Sequence, residues 1–243
     1  GRDDAALAEL IRSREAALAA GELRLQERAL AAIAKLQRRA GRHDDALATM
    51  HDWIDTLREL GERQELLRVL GNMAAVHQDR GAVVEAEAHL RRLASVCRAG
   101  EDEAERLYAH HALAVLLARR LVLDEAGEHF HTALVGYRAL FGSERSADQD
   151  RLLGSIHHQF ANVLLRQGAA RDALDQFEAA AAIAAVEPAQ RARSLVGMGN
   201  AHRMLGDEDI ARSCFDEAAG LCEQQGDERA MRVIRQGMAT PGG

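Results

Sequence analysis

The sequence predicts an all-α chain built from stacked antiparallel helix pairs. Three observations carry that reading. Ala, Leu, Arg and Glu dominate the 243 residues and are strong helix formers, whereas aromatic residues make up 3 % and Pro occurs only at 188 and 241. Apolar residues recur at helical spacing along most of the chain. One short pattern also returns five times: an apolar helix, a turn, an acidic residue, Ala, and a second apolar helix.

The five turns run Arg39–Ala46, Asp79–Ala86, Arg119–Ala126, Arg166–Ala173 and Met204–Ala211. Their closing Ala residues are spaced by 40, 40, 47 and 38 positions. Gly41, Gly81, Gly168 and Gly206 supply the left-handed backbone that ends a helix cheaply. Repeat three has Leu121 where Gly is expected. Asp44, Asp124, Asp172 and Asp207 lie at or near the next helix start, where a carboxylate caps free N–H groups and meets a favourable dipole. The Ala marks a close helix crossing. Four residues after it come Met50, Leu90, Phe130, Phe177 and Phe215; seven after it come Trp53, Leu93, Ala133, Ala180 and Ala218.

These signals place helices near 3–20, 22–40, 43–60, 62–80, 83–99, 102–120, 123–141, 148–167, 170–185, 189–205, 208–225 and 227–238. The segment Phe141–Asp148 accounts for the 47-residue spacing as a longer loop or an extended helix. Residues 1–21 read as the second helix of a truncated repeat, which suggests a piece of a longer protein. Residues 22–225 form the array, with repeats at about 22–61, 62–100, 101–142, 148–187 and 188–225. Residues 226–243 read as a capping helix, with Met231, Val233 and Ile234 inward and Arg229, Arg232 and Arg235 outward, followed by a tail.

The turns and flanking apolar positions, above all Leu70–His77 and Gly197–Gly206, resemble the tetratricopeptide repeat family. The resemblance covers about residues 22–225. It is nearest to the long variant, near 40 residues per unit, of bacterial signalling regulators and some polarity scaffolds. The family's large residue at the start of the first helix is Leu or His here, and its Pro after the second helix is mostly absent. The resemblance implies a right-handed superhelical solenoid whose first helices line a concave surface. In that register the inward residues are Lys35 and Arg38; Arg68, Asn72 and Gln78; His111 and Arg119; His158, Asn162 and Arg166; and Arg193, Asn200 and Arg203. Relatives that bind peptides hold the ligand backbone with Asn at the positions of Asn162 and Asn200, and Lys35 stands at the same position in the first repeat.

That inward set is basic and amide-rich, although the chain carries a net charge of −7. A cationic groove in an anionic protein favours an acidic peptide or protein segment. Arg is abundant throughout, so an ordinary solvated face accounts for the same pattern. The implied function is a protein-interaction module of a larger regulator or scaffold. A peptide sensor that switches an attached effector and a self-association module are the alternatives.

The acidic balance speaks against nucleic acid and anionic membranes. No apolar run is long enough to span a bilayer. Cys97, Cys214 and Cys222 form no C-x-x-C pair, which suits a reducing, cytoplasmic setting. Eleven histidines raise the question of metal, but neighbours such as His110/His111 and His157/His158 diverge by about 100° on a helix and cannot chelate together. His110 and His157 share a repeat position and are expected at helix contacts, as are His77 and His202. No nucleophile motif, phosphate loop or dinucleotide fingerprint occurs. Val196–Asn200 is Gly-rich inside a helix, where Gly permits close packing. The sequence therefore suggests no enzyme, no cofactor and no metal.

Overall fold

The computed structural model describes residues 2–98, 100–183, 188–228, 231–232 and 234. Among them it contains eleven helices and no strand. They are α1 (Arg2–Ala20), α2 (Leu23–Arg39), α3 (His43–Leu60), α4 (Arg63–Asp79), α5 (Val83–Val96), α6 (Glu103–Arg119), α7 (Leu123–Phe141), α8 (Ala147–Arg166), α9 (Ala170–Ile183), α10 (Pro188–Leu205) and α11 (Glu208–Gln224). No helix among the described residues is long and apolar enough to cross a membrane.

The chain divides into two compact units, Gly1–Ala109 and His110–Gly243, with the boundary inside α6. In the first, each of α1 to α5 packs on the next. In the second, α7 to α11 do the same, and α8 also touches α10, so successive first helices lie side by side. Each pair closes around the positions the sequence marks. Ala46, Ala86, Ala126, Ala173 and Ala211 are fully buried, and the large residue four places on is buried in every repeat.

Main-chain bonds close the turns. In all five, the residue after the left-handed position donates its N–H to a carbonyl five residues back: Arg42 to Gln37, Ala82 to His77, Val122 to Leu117, Ala169 to Leu164 and Asp207 to His202, at 2.8–3.0 Å. This is the Schellman arrangement. Leu121 adopts the same backbone as the glycines, with φ 62°. The expected carboxylate caps at these turns differ from what is found. Asp207 is the N-cap of α11 but accepts no cap bond, and α3 and α7 begin after Arg42 and Val122 without one. Asp44 and Asp124 lie in first turns and reach sideways instead, to Arg80 and to Gln167 (2.9 Å). A side-chain capping box occurs at Ser146, ahead of α8, where a five-residue loop replaces the tight turn.

One further detail departs from expectation. Helix α5 ends at Val96, and Cys97 is extended rather than helical. The irregular turn that follows is held by Asp102, whose carboxylate accepts from Arg63 Nη2 (2.7 Å) and from the Arg98 backbone N–H (2.8 Å). In the Phe141–Asp148 segment α7 ends at Phe141 and residues 142–146 loop to α8, so the loop is the alternative found. Of the capping helix, Met231 and Ile234 pack on the α10–α11 core and Arg232 is exposed. Arg229, Val233, Arg235 and the tail lie outside the described residues.

Candidate partner-binding surface

Some of the polar residues of the first helices, Arg68, Asn72, Arg119, His158, Asn162, Arg166, Arg193 and Asn200, line three clefts. The largest, about 740 Å³, lies in the His110–Gly243 unit. His158 and Asn162 of α8 and Arg193 and Asn200 of α10 line it, and Cys222 and Ile234 form part of its wall. Two close approaches set the spacing. A Cβ at Gly197 would lie 2.3 Å from the Phe177 ring, and one at Gly199 would lie 2.8 Å from the Phe215 ring. The glycine pair therefore lets α10 seat directly on the aromatic side chains of α9 and α11.

His158 is half-buried, edge-on to Phe177 at 5.5 Å. Burial, and secondarily Arg193, depresses its pKa to about 4, so the ring is neutral at pH 7. Arg193 is exposed and faces the cleft. Asn162 donates from Nδ2 to the His158 carbonyl at 2.9 Å, which leaves its Oδ1 to accept from a ligand N–H. Asn200 is exposed on the same side.

Asn162 also lines a second cleft in this unit, of about 420 Å³, with Arg119, Arg166 and Gln159 over Val115 and Val163. Arg166 donates to the Ala118 carbonyl at 3.3 Å. His111 is tied to Gln159 at 3.0 Å, and burial lowers its pKa. The third cleft, about 330 Å³, belongs to the Gly1–Ala109 unit. Arg68 and Asn72 line it beside Tyr108 and Glu105, with Leu67 and Leu93 as the floor.

Other candidates are placed otherwise. Arg38 donates to Asp79 at 2.7 Å and joins α2 to α4. Arg68 also pairs with Glu65 one turn away. Arg203 lies 4.9 Å over the Phe215 ring and near Glu208. Lys35 and Gln78 are exposed on α2 and α4 and line none of the three clefts. Sequence reasoning missed Tyr108, Gln159 and Ile234. Tyr108, in an aromatic-poor chain, faces Gly71, where a Cβ would come within 2.9 Å of its ring; an aromatic opposite a helical Gly was the available signal. Ile234 comes from the cap, which a register confined to first helices does not reach.

Several histidines serve packing between paired helices. His110 and His129 meet Nδ1 to Nδ1 at 2.8 Å, and His157 Nδ1 meets Gln176 at the equivalent position at 2.9 Å. His77 stacks on His89 at 4.9 Å. Among the described residues, no three His, Cys, Asp or Glu side chains come together as a metal site.

Antiparallel helix pairs, left-handed turns and side-by-side first helices define a TPR-like helical-repeat protein. No protein-family model matches the sequence, and no curated protein matches it. In fold the chain is similar to BtubC (BKLC) from P. vanneervenii, at 16 % identity over 93 % of both chains with a TM-score of 0.76. It is similar to a putative kinesin light chain with TPR-like repeats from P. anserina, at 17 % identity over 83 % of this chain and 96 % of that one, TM-score 0.65. It is also similar to the apo quorum sensor NprR from B. thuringiensis, at 13 % identity over 94 % of this chain and 64 % of that one, TM-score 0.62. At these identities the likeness establishes the fold.

Proposed function

We propose that the chain is a protein-interaction module that holds a peptide or helix of a partner against its first helices, and that it does no catalysis. One observation carries this reading. Two exposed or half-exposed amides and a cation, Asn162, Asn200 and Arg193, come from successive first helices and face one cleft of about 740 Å³. Amides pair with both groups of an extended backbone, and the cleft sets one charge of each sign beside them, Arg193 and Asp227. The three free cysteines fit a cytoplasmic setting.

The test is affinity capture with wild type, an Arg193→Glu/Asn200→Ala variant, and an Arg212→Glu control on the exposed side of α11. Partners retained by wild type and the control but lost by the double variant support the groove. Equal retention by all three sinks it. The likeness to the quorum sensor NprR favours a second reading, in which a peptide in the same cleft switches an attached effector. Small-angle scattering that changes on addition of the captured segment supports that version, and an unchanged profile supports a scaffold.

A further inference from the structure

We infer that the cleft between the ends of α6 and α8 binds a phosphate monoester carried by the segment the groove holds. The inference rests on the groove reading for the source of the phosphate. Its basis is a comparison of equivalent joints within the molecule. In the Gly1–Ala109 unit, Arg38, three residues before one turn, pairs with Asp79, two residues before the next. In the His110–Gly243 unit, Ala118 stands at the place of Arg38 and Arg166 at the place of Asp79. The acid has become a second base. Arg166 reaches the Ala118 carbonyl at 3.3 Å, and Arg119, the next residue, lines the same cleft.

No acidic residue lines this cleft. The acid at the adjoining turn, Asp124, accepts from Gln167 at 2.9 Å. Two other arginines of the unit do find carboxylates, Arg145 with Asp150 and Arg191 with Glu217, both at 2.7 Å. Two exposed guanidinium groups thus share one pocket without a counter-charge, which favours an anion from outside. Amide groups add little, because Gln159 is bonded to His111 and Ser155 and the Asn162 amide donates to its own helix. Recognition falls on two guanidinium forks above the apolar floor of Val115 and Val163. A phosphate monoester carries about −1.5 to −2 charges and three acceptor oxygens, which matches two forks; one carboxylate matches only one.

The experiment uses the full chain and O-phosphoserine or inorganic phosphate as probe, with glutamate and chloride at matched ionic strength. Calorimetry should show saturable one-to-one binding of both phosphates. At about fivefold above Kd the melting temperature should rise by about 2–4 °C. Arg119→Gln and Arg166→Gln should each weaken binding about tenfold or more, while Arg38→Gln leaves it unchanged. Arg166→Lys keeps the charge but loses the fork, and should fall between. Circular dichroism checks that the variants fold. No saturable response, binding by both Gln variants as strong as by wild type, or glutamate binding as strong as phosphoserine would overturn the inference. If phosphate fails to bind while partner retention still depends on Arg193 and Asn200, this inference falls and the groove reading stands. Phosphate binding at Arg119 and Arg166 with retention indifferent to Arg193 and Asn200 would remove the groove reading instead.

Discussion

Leu121 holds a backbone conformation that its own side chain resists. An L-residue in the left-handed region costs roughly 1–2 kcal/mol, and the exposed Leu121 side chain gains little burial in return. Leu121→Gly should therefore raise stability by about 0.5–1 kcal/mol, after the entropic cost of glycine, read by thermal or urea melting. Gly197→Ala should act the other way. Its Cβ would meet the Phe177 ring at 2.3 Å, and overpacking should outweigh the gain in helix propensity by about 1–2 kcal/mol. His157 gives a pH dependence with a defined sign. Arg138 donates to its Nε2 at 2.8 Å, so Nδ1–H must donate to Gln176 and the ring must be neutral. Burial depresses the pKa of both His157 and His158 to about 4. The unfolded chain takes up these protons near pH 6.5. Stability should be full above that value and decline as pH falls from about 6.5 to 4, by up to about 3 kcal/mol for each ring. His157→Gln should flatten that slope in a series of melts between pH 4 and 8.

At the scale of the helix, alternating main-chain locks and side-chain links hold repeat to repeat. Several arginines of the first unit reach carboxylates about one repeat away, Arg14 to Asp52 (2.6 Å), Arg38 to Asp79 (2.7 Å) and Arg42 to Asp4 (3.0 Å) among them. Exposed pairs of this kind contribute about 0–1 kcal/mol each, so they help set register more than they supply stability. Arg38→Gln should cost less than about 1 kcal/mol, with the buried Trp53 (6 % exposed) reporting the transition by fluorescence. Arg63 and Asp102 differ, because the Asp102 side chain is only 2 % exposed. Bonding to Arg63 and to the Arg98 N–H lowers its pKa. Its contribution is present above the ordinary carboxylate range and lost as pH falls through the lowered value. The stability gap between wild type and Asp102→Asn should accordingly close under acid.

Much of this level was legible in the sequence, for a local reason. Gly, the buried Ala and the large residue four places on are adjacent along the chain, so one repeat displays its own turn and crossing. The long-range pairings were not legible. Nothing beside Asp44 or Asp124 indicates that each looks to the next turn instead of capping its own helix. Arg38 likewise reads as a groove residue until Asp79, a repeat later, is seen beside it. Asn162, Arg193 and Asn200 could be proposed from register, but the cleft they share depends on Gly197 and Gly199 seating α10 on Phe177 and Phe215.

For the whole molecule, a repeat array packs mainly nearest neighbours and leaves the polar side of its first helices available. The central claim is that this side, at α8 and α10, holds a partner segment. Hydrogen–deuterium exchange of the chain with and without a captured partner tests it most directly. The account predicts slower exchange at α8 and α10 around Asn162 and Asn200, with little change along the exposed side of α11. Protection confined to α9 and α11, with α8 and α10 unaltered, would contradict it.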